Sequence, residues 1–232
     1  MIPVVLAPGL LCDDRLWSKV RPLLTGEIAT VDFANDGSLE AMAHRILDEG
    51  PDRFVLVGFS MGGMAEMTAA AGSPERVAGL VLIDTHAEPE TPDRSARRVR
   101  QITSVEAGGF ARLVREDQIP NYFADPQERQ DECRLVLDMA LDAGALQFRR
   151  HVEALIGRPD PATVLTSLGM PVTVVTGEED GIAPPSAARH LVERLSNGRL
   201  VLIPDCGHMA PLEAPFVVAA EIDRLRRQPE LE

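Results

Sequence analysis

Residues 58–63 read Gly58-Phe59-Ser60-Met61-Gly62-Gly63, where the apolar run Phe54 to Val57 gives way to a stretch of small residues. A serine flanked by glycines at this spacing can occupy a sharp strand-to-helix turn, the nucleophile elbow. Such a turn lifts the hydroxyl clear of the sheet edge and leaves no room for side chains two positions before and two after it, where this chain carries Gly58 and Gly62. The Met61 N–H would open the next helix and point toward incoming negative charge. The chemistry this predicts is attack of Ser60 on a carbonyl carbon.

A serine hydroxyl is a weak nucleophile near neutral pH, so it needs a base within hydrogen-bond reach and an acidic group to orient that base. Of the five histidines, His208 stands in Asp205-Cys206-Gly207-His208-Met209-Ala210-Pro211, after the last apolar run and before the final helical stretch. A loop there can return over the elbow. His44 and His190 fall inside helical stretches and His151 beside Arg149 and Arg150, where surface or packing roles suit them better. His86, just past the run ending at Ile83, is the competing base. For the acid, Asp180 in Gly177-Glu178-Glu179-Asp180-Gly181-Ile182-Ala183-Pro184 is preferred, because it alone precedes a glycine and a proline-terminated turn. Glu178 and Glu179 read as solvated loop charges, and Asp84 is a second acid position. The chain order is then Ser60, Asp180, His208, which is nucleophile, acid, histidine. An oxyanion hole needs two convergent N–H donors. Met61 supplies one, and the loop Ala7-Pro8-Gly9-Leu10-Leu11-Cys12 supplies the other, from Leu10 with Leu11 as fallback. Cys12 reads as packing.

The elements that would hold these groups follow from the pattern of apolar residues. Runs rich in Val, Ile and Leu recur at Ile2 to Leu6, Ile28 to Val31, Phe54 to Val57, Val77 to Ile83, Val172 to Val175 and Leu200 to Ile203, as buried parallel strands do. Helical patterns fall at Arg15 to Leu24, Leu39 to Asp48, Met61 to Ala71, Ser186 to Leu195 and Pro215 to Arg226. Alternation of the two predicts right-handed crossovers and a parallel sheet covered on both faces. The rhythm breaks between Ile83 and Val172, where Phe110, Leu113, Val114, Leu135, Val136, Met139, Leu146 and Phe148 recur at helical spacings. This stretch, bounded by Glu88-Pro89-Glu90-Thr91-Pro92-Asp93 and Gly157-Arg158-Pro159-Asp160-Pro161, reads as a helical insertion over the site. The expected organisation is a core of residues 1–85 and 161–232 with a helical cap or lid of residues 86–160.

Composition narrows the partners. With 23 basic and 36 acidic residues the net charge is −13, which disfavours nucleic acid and anionic membranes. No run approaches the length of a membrane helix, and Met1-Ile2-Pro3-Val4 lacks the basic start of a secretory signal. A cytoplasmic protein without membrane partners is therefore expected. Cys12, Cys133 and Cys206 are odd in number and show no CxxC spacing, so neither a disulfide framework nor a metal site is expected.

Together these residues resemble the α/β-hydrolase superfamily, and within it the single-domain esterase, lactonase and cofactor-free perhydrolase branch with a helical lid. The motifs that carry the resemblance are Gly58-Phe59-Ser60-Met61-Gly62-Gly63, Gly177-x-x-Asp180-x-x-x-Pro184 and Gly207-His208-x-x-Pro211-x-Glu213-x-Pro215, and it covers nearly the whole chain. It implies an α/β fold with a mainly parallel sheet of about six strands, a Ser60-His208-Asp180 triad, acyl-enzyme chemistry, no cofactor, and a pocket between sheet and lid. Two departures stand out. The oxyanion loop has Pro8-Gly9 where this branch commonly carries His-Gly, and no hairpin precedes the first strand, so six all-parallel strands with Ile28 to Val31 at one edge are expected. The predicted activity is hydrolysis of carboxylic esters of small molecules. Lactonase, thioesterase, perhydrolase and acyltransferase chemistry would use the same residues, and a receptor-like ligand-binding module with little turnover is the alternative of another class. Aromatic residues are 4% of the chain, a mild preference for aliphatic acyl groups, although a few of Trp17, Phe59, Phe110, Tyr122, Phe123 and Phe148 could still line the pocket.

Overall fold

The computed structural model describes residues 1–228; the last positions of the 161–232 core range lie outside them. Six strands form one sheet: β1 (Val4–Ala7), β2 (Ile28–Thr30), β3 (Phe54–Phe59), β4 (Val77–Ile83), β5 (Val172–Gly177) and β6 (Gly198–Ile203). Their order is β2-β1-β3-β4-β5-β6 and every pairing is parallel. The six-stranded parallel sheet with β2 at its edge agrees with the sequence pattern. β1, β3, β4 and β5 are buried along their whole length, which is why these strands read as unbroken apolar runs rather than as alternation.

Helices cover both faces. α1 (Leu39–Glu49) is capped by Ser38, whose Oγ accepts from the Ala41 N–H at 3.1 Å. It buries Leu39, Met42, Ala43 and Ile46, the i, i+3, i+4, i+7 face of a helix lying on a core. With α2 (Met61–Gly72) it closes one side of the sheet over Val5, Leu56, Leu80 and Val174. On the other side Leu16, Trp17 and Val20 pack with Val4, Val55, Val57 and Val81. Arg15 to Leu24 is not one helix, as its pattern predicts, but two 3-10 turns, Asp14–Trp17 and Arg21–Leu23. Pro22 explains the break, since it lacks an N–H and its ring would strike the preceding turn of an α-helix.

Among the described residues the chain between β4 and β5 contains no strand. It holds α3 (Pro92–Ser104), the short α4 (Phe110–Arg112) between two π-helical turns, a 3-10 turn at Ile119–Asn121, α5 (Gln130–Ile156) and α6 (Pro161–Leu165). Leu113, Val114, Val136, Met139 and Phe148 are buried, whereas Leu146 is 57% exposed. Gly144, at φ 77°, breaks the helical path inside α5, so residues on its two sides do not share one face. A third apolar cluster joins Val105, Leu113, Val114, Ala140, Phe148 and Val152 to Leu11 of the loop after β1. The chain finishes with α7 (Pro185–Glu193), then α8 (Ala210–Glu213) and α9 (Pro215–Arg226), which returns Val218, Ile222 and Leu225 to the second cluster. No helix among the described residues is long and apolar enough to cross a membrane.

Candidate active site

The site is assembled at the C-terminal ends of five neighbouring strands. β3 ends at Phe59 and α2 begins at Met61, so Ser60 makes the whole turn, with φ 52° and ψ −113°. Its N–H donates to Ile83 O at 2.9 Å, and its carbonyl accepts from Thr85 Oγ1 at 2.7 Å. A serine at a helix start usually caps it. Here no side-chain cap bond forms, which leaves the Ser60 hydroxyl free to point elsewhere. The turn needs its glycines for space: a Cβ on Gly62 would lie 2.2 Å from Ala7 O and 2.6 Å from Pro8 O, against the end of β1.

Ser60 Oγ lies 3.1 Å from His208 Nε2, and His208 Nδ1 lies 2.8 Å from Asp180 Oδ2. Both partners are buried, at 3% and 2% exposure. A carboxylate only accepts, so the imidazole carries its proton on Nδ1 and offers the Nε2 lone pair to the serine hydroxyl. The other Asp180 oxygen accepts from the Ile182 and Ala183 N–H groups at 2.7 and 2.9 Å. That turn fixes the carboxylate, while Glu178 and Glu179 are exposed. The Phe59 ring sits tilted 5.2 Å from the imidazole.

The competing groups are placed differently. Asp84 is fully buried and accepts from the Gly177 and Ala210 N–H groups, each at 3.0 Å. It ties the end of β4 to the end of β5 and to the start of α8, and burial together with the nearby Asp180 charge pushes its carboxyl well above the usual range. His86 accepts from the Glu88 N–H at 3.2 Å through Nδ1. Burial, then the Arg158 and Arg94 charges, hold it down to about 4, and no carboxylate orients it among the described residues. Cys12 is desolvated and pushed up to about 12, so it stays a thiol.

The loop after β1 closes with the Cys12 N–H donating to Gly9 O at 3.1 Å. Leu11, at φ 57°, turns its side chain into the third apolar cluster. Among the described residues the amides of Leu10, Leu11 and Met61 donate to no other group of the chain. Leu10, Ser60, Met61 and His208 line a cavity of about 720 Å³ whose far wall is the α3 face Arg97, Arg98, Gln101 and Ser104, with Leu113 and Tyr122. Among the described residues no cluster of three or more His, Cys, Asp or Glu could hold a metal ion.

Sequence pattern names Glu213 without a role, names Tyr122 only among the aromatic residues that could line the pocket, as Tyr122 and Phe59 do, and passes over Thr85. Thr85 lies beside the Asp84 position already singled out. The contact of Tyr122 with His208 has no local signal, since it joins distant parts of the chain.

Comparison with known proteins agrees with the fold. The family model described as alpha/beta hydrolase fold matches residues 8–215. A pimeloyl-[acyl-carrier protein] methyl ester esterase of Aromatoleum aromaticum is 28% identical over 246 residues, covering 97% of this chain and 98% of its own. The protein of the same name from Nitrosomonas europaea is 30% identical, over 87% of this chain and 82% of its own. Among solved structures, a thermophilic esterase from Thermogutta terrifontis superposes with a TM-score of 0.87 at 27% identity, covering 98% of this chain and 90% of that one.

Proposed function

Because the chain belongs to the alpha/beta hydrolase fold family, whose model spans most of its length, we propose that it is a carboxylic ester hydrolase that forms an acyl-enzyme on Ser60. The observation that carries this reading is the run of contacts from Ser60 Oγ to His208 Nε2 to Asp180 Oδ2, at 3.1 and 2.8 Å. Ser60 Oγ attacks the ester carbonyl as His208 Nε2 takes its proton, and Asp180 stabilises the imidazolium that results. The carbonyl oxygen gains negative charge between the Leu10 and Met61 N–H groups, and each such donor contributes about 2.7 to 4 kcal/mol to the barrier reduction. His208 then returns the proton to the departing alkoxide. Water, deprotonated by the same nitrogen, cleaves the acyl-enzyme and restores Ser60. In this reading the helical segment of residues 86–160 acts as the lid over the site.

The cavity wall narrows the substrate. Arg94 and Arg98 pair with Glu88 and Glu90, whereas Arg97 and Arg100 line the cavity without a carboxylate partner among the described residues. A chain of net charge −13 that keeps two exposed arginines, with Asp117, on the wall of the cavity holding its nucleophile suits an ester bearing negative charge away from the scissile bond. The relatives named for a methyl ester of a pimeloyl-acyl-carrier conjugate support an ester substrate.

The test is turnover of short p-nitrophenyl esters and of matched methyl esters with and without a distal carboxylate, together with fluorophosphonate labelling. Wild type should label and turn over, with the carboxylate-bearing member of each pair favoured in kcat/KM. Ser60→Ala should lose labelling and up to about a million-fold in kcat. A wild type that neither labels nor hydrolyses any of these esters would overturn the reading.

A further inference from the structure

His208 rides on a loop outside any strand, and one carboxylate fastens that loop. Glu213 Oε1 accepts from the Gly207 N–H at 3.0 Å and the Met209 N–H at 3.2 Å, the two amides flanking His208. Its other oxygen, Oε2, accepts from the Ala124 N–H at 3.1 Å. Ala124 belongs to the helical segment between β4 and β5, 89 residues away in sequence. The same stretch takes a direct bond as well, since the His208 N–H donates to Tyr122 O at 2.8 Å. A Cβ on Gly207 would lie 2.6 Å from Ala124 N and 2.7 Å from Phe123 C, so the two backbones touch. The Tyr122 ring completes the contact, 5.9 Å from the imidazole.

Glu213 is half-buried, and among the described residues it forms no ion pair. Its short bonds are to main-chain amides, which bind a charged acceptor more strongly than a neutral one, and the Cys206 thiol also donates to Oε1, at 3.9 Å. A carboxylate that served only to finish α8 would need the amides of its own loop alone. This one spans the His208 loop and the segment above it. The Ser60 to His208 distance, 3.1 Å, is already near the outer limit of a productive contact. A loop displacement of about 1 Å takes the base out of reach. If residues 122–124 lift, the His208 N–H loses its acceptor, Glu213 Oε2 loses its donor and Gly207 loses its backing together.

We propose that Glu213 is a positioning residue that makes the placement of His208 conditional on the seating of residues 122–124, so that the base meets Ser60 only when the helical segment is docked on the core. This rests on the hydrolase reading given above.

Two variants address it from opposite sides. Glu213→Gln replaces one acceptor by an NH2 group facing an N–H, and Gly207→Ala drives a methyl group into the 123–124 backbone. Each should lower kcat about 10- to 100-fold, as displacement of a catalytic group on this scale does, with KM changed less than about threefold. The fluorophosphonate labelling rate should fall in parallel, and Glu213→Asp should recover part of the loss. Hydrogen exchange should rise in both the 120–126 and 205–210 peptides of either variant. Unchanged kcat in both variants, a loss confined to KM, or faster exchange in the 205–210 peptide alone would overturn the proposal. Wild-type turnover and its loss in Ser60→Ala test the hydrolase reading separately, because the exchange experiment reads the coupling whether or not an ester is cleaved.

Discussion

Replacing Gly62 by alanine sets two effects of opposite sign against each other. Inside a helix, alanine is favoured over glycine by about 1 kcal/mol, so propensity alone predicts a more stable protein. The site decides otherwise. The added Cβ would lie 2.2 Å from Ala7 O, against a lower limit near 3.0 Å for such contacts, and only 2.6 Å from Pro8 O. Both atoms are backbone, and Ala7 ends a strand held in register with Gly58, so no side chain can swing aside. The loop must retreat by roughly 0.8 Å, carrying Pro8 and the Leu10 amide two residues on. A donor moved that far no longer meets the developing oxyanion, which costs about 2.7 to 4 kcal/mol, or about 10² to 10³ in kcat. The control is Gly72→Ala in the same helix, where nothing lies within 4 Å of the added atom. It should raise Tm by about 2 to 4 °C and leave kcat unchanged. Steady-state kinetics on a short p-nitrophenyl ester and a thermal melt of both variants make the test. Gly62→Ala with kcat within about threefold of wild type and an undiminished Tm would refute the reasoning, because the loop would then have yielded without cost to either.

Two further predictions concern buried carboxyl groups. Asp180→Asn should cost about 10⁴ in kcat with Tm little changed. Asp84→Asn, which swaps an acceptor for a donor facing the Gly177 or Ala210 N–H, should instead cost about 1 to 3 kcal/mol of stability and less than about tenfold in kcat; the opposite pattern would make Asp84 the orienting acid. Glu66 is fully buried with both carboxyl oxygens unpartnered, and burial raises its carboxyl well above 4.5. Since its folded value lies above its unfolded one, its stabilising contribution is complete below about pH 4.5 and is lost as pH rises through the folded value. Urea midpoints from about pH 5 to 9 should therefore fall more steeply for wild type than for Glu66→Gln, and parallel slopes would exclude this origin.

Much of this arrangement is legible in the chain because burial leaves a compositional mark. β4 occupies the whole run Val77 to Ile83, and α9 starts at Pro215, a residue suited to a first helical position. Asp180 is separable from Glu178 and Glu179 by the turn that follows it, and in the fold that turn supplies the two amides that hold its carboxylate. Other features have no local signal. Pro22 converts an amphipathic pattern into two 3-10 turns, and Gly144 changes the facing of α5 so that Leu146 emerges at the surface. Glu66 would be assigned to an exposed helix face on polarity, yet it packs beside Gly58, where a Cβ would fall 2.4 Å from its Oε2. The bond from Glu213 to Ala124 depends on how a long helical segment lands, which periodicity within either stretch does not specify.

Backbone strain recurs at the C-terminal ends of the strands that carry the site. Among the described residues four non-glycine positions have positive φ: Leu11, Ser60, Asp84 and Asp205, at 57°, 52°, 45° and 53°. They follow β1, β3, β4 and β6 in turn, each where the chain must leave the sheet abruptly. Such conformations cost about 1 to 3 kcal/mol apiece and persist only where neighbouring bonds over-determine them. Three of the four have such support. Ser60 is held from both sides by Ile83 O and Thr85 Oγ1, Asp84 by its own N–H to Val175 O and by two amides on its carboxylate, and Leu11 by its place in an apolar cluster. The holders at one exit come largely from the next strand along, so the strain at Ser60 is sustained by β4 and that at Asp84 by β5. The cost of presenting the hydroxyl is thereby spread through the sheet, and the geometry at Ser60 is set by Ile83 and Thr85, neither of which lines the cavity.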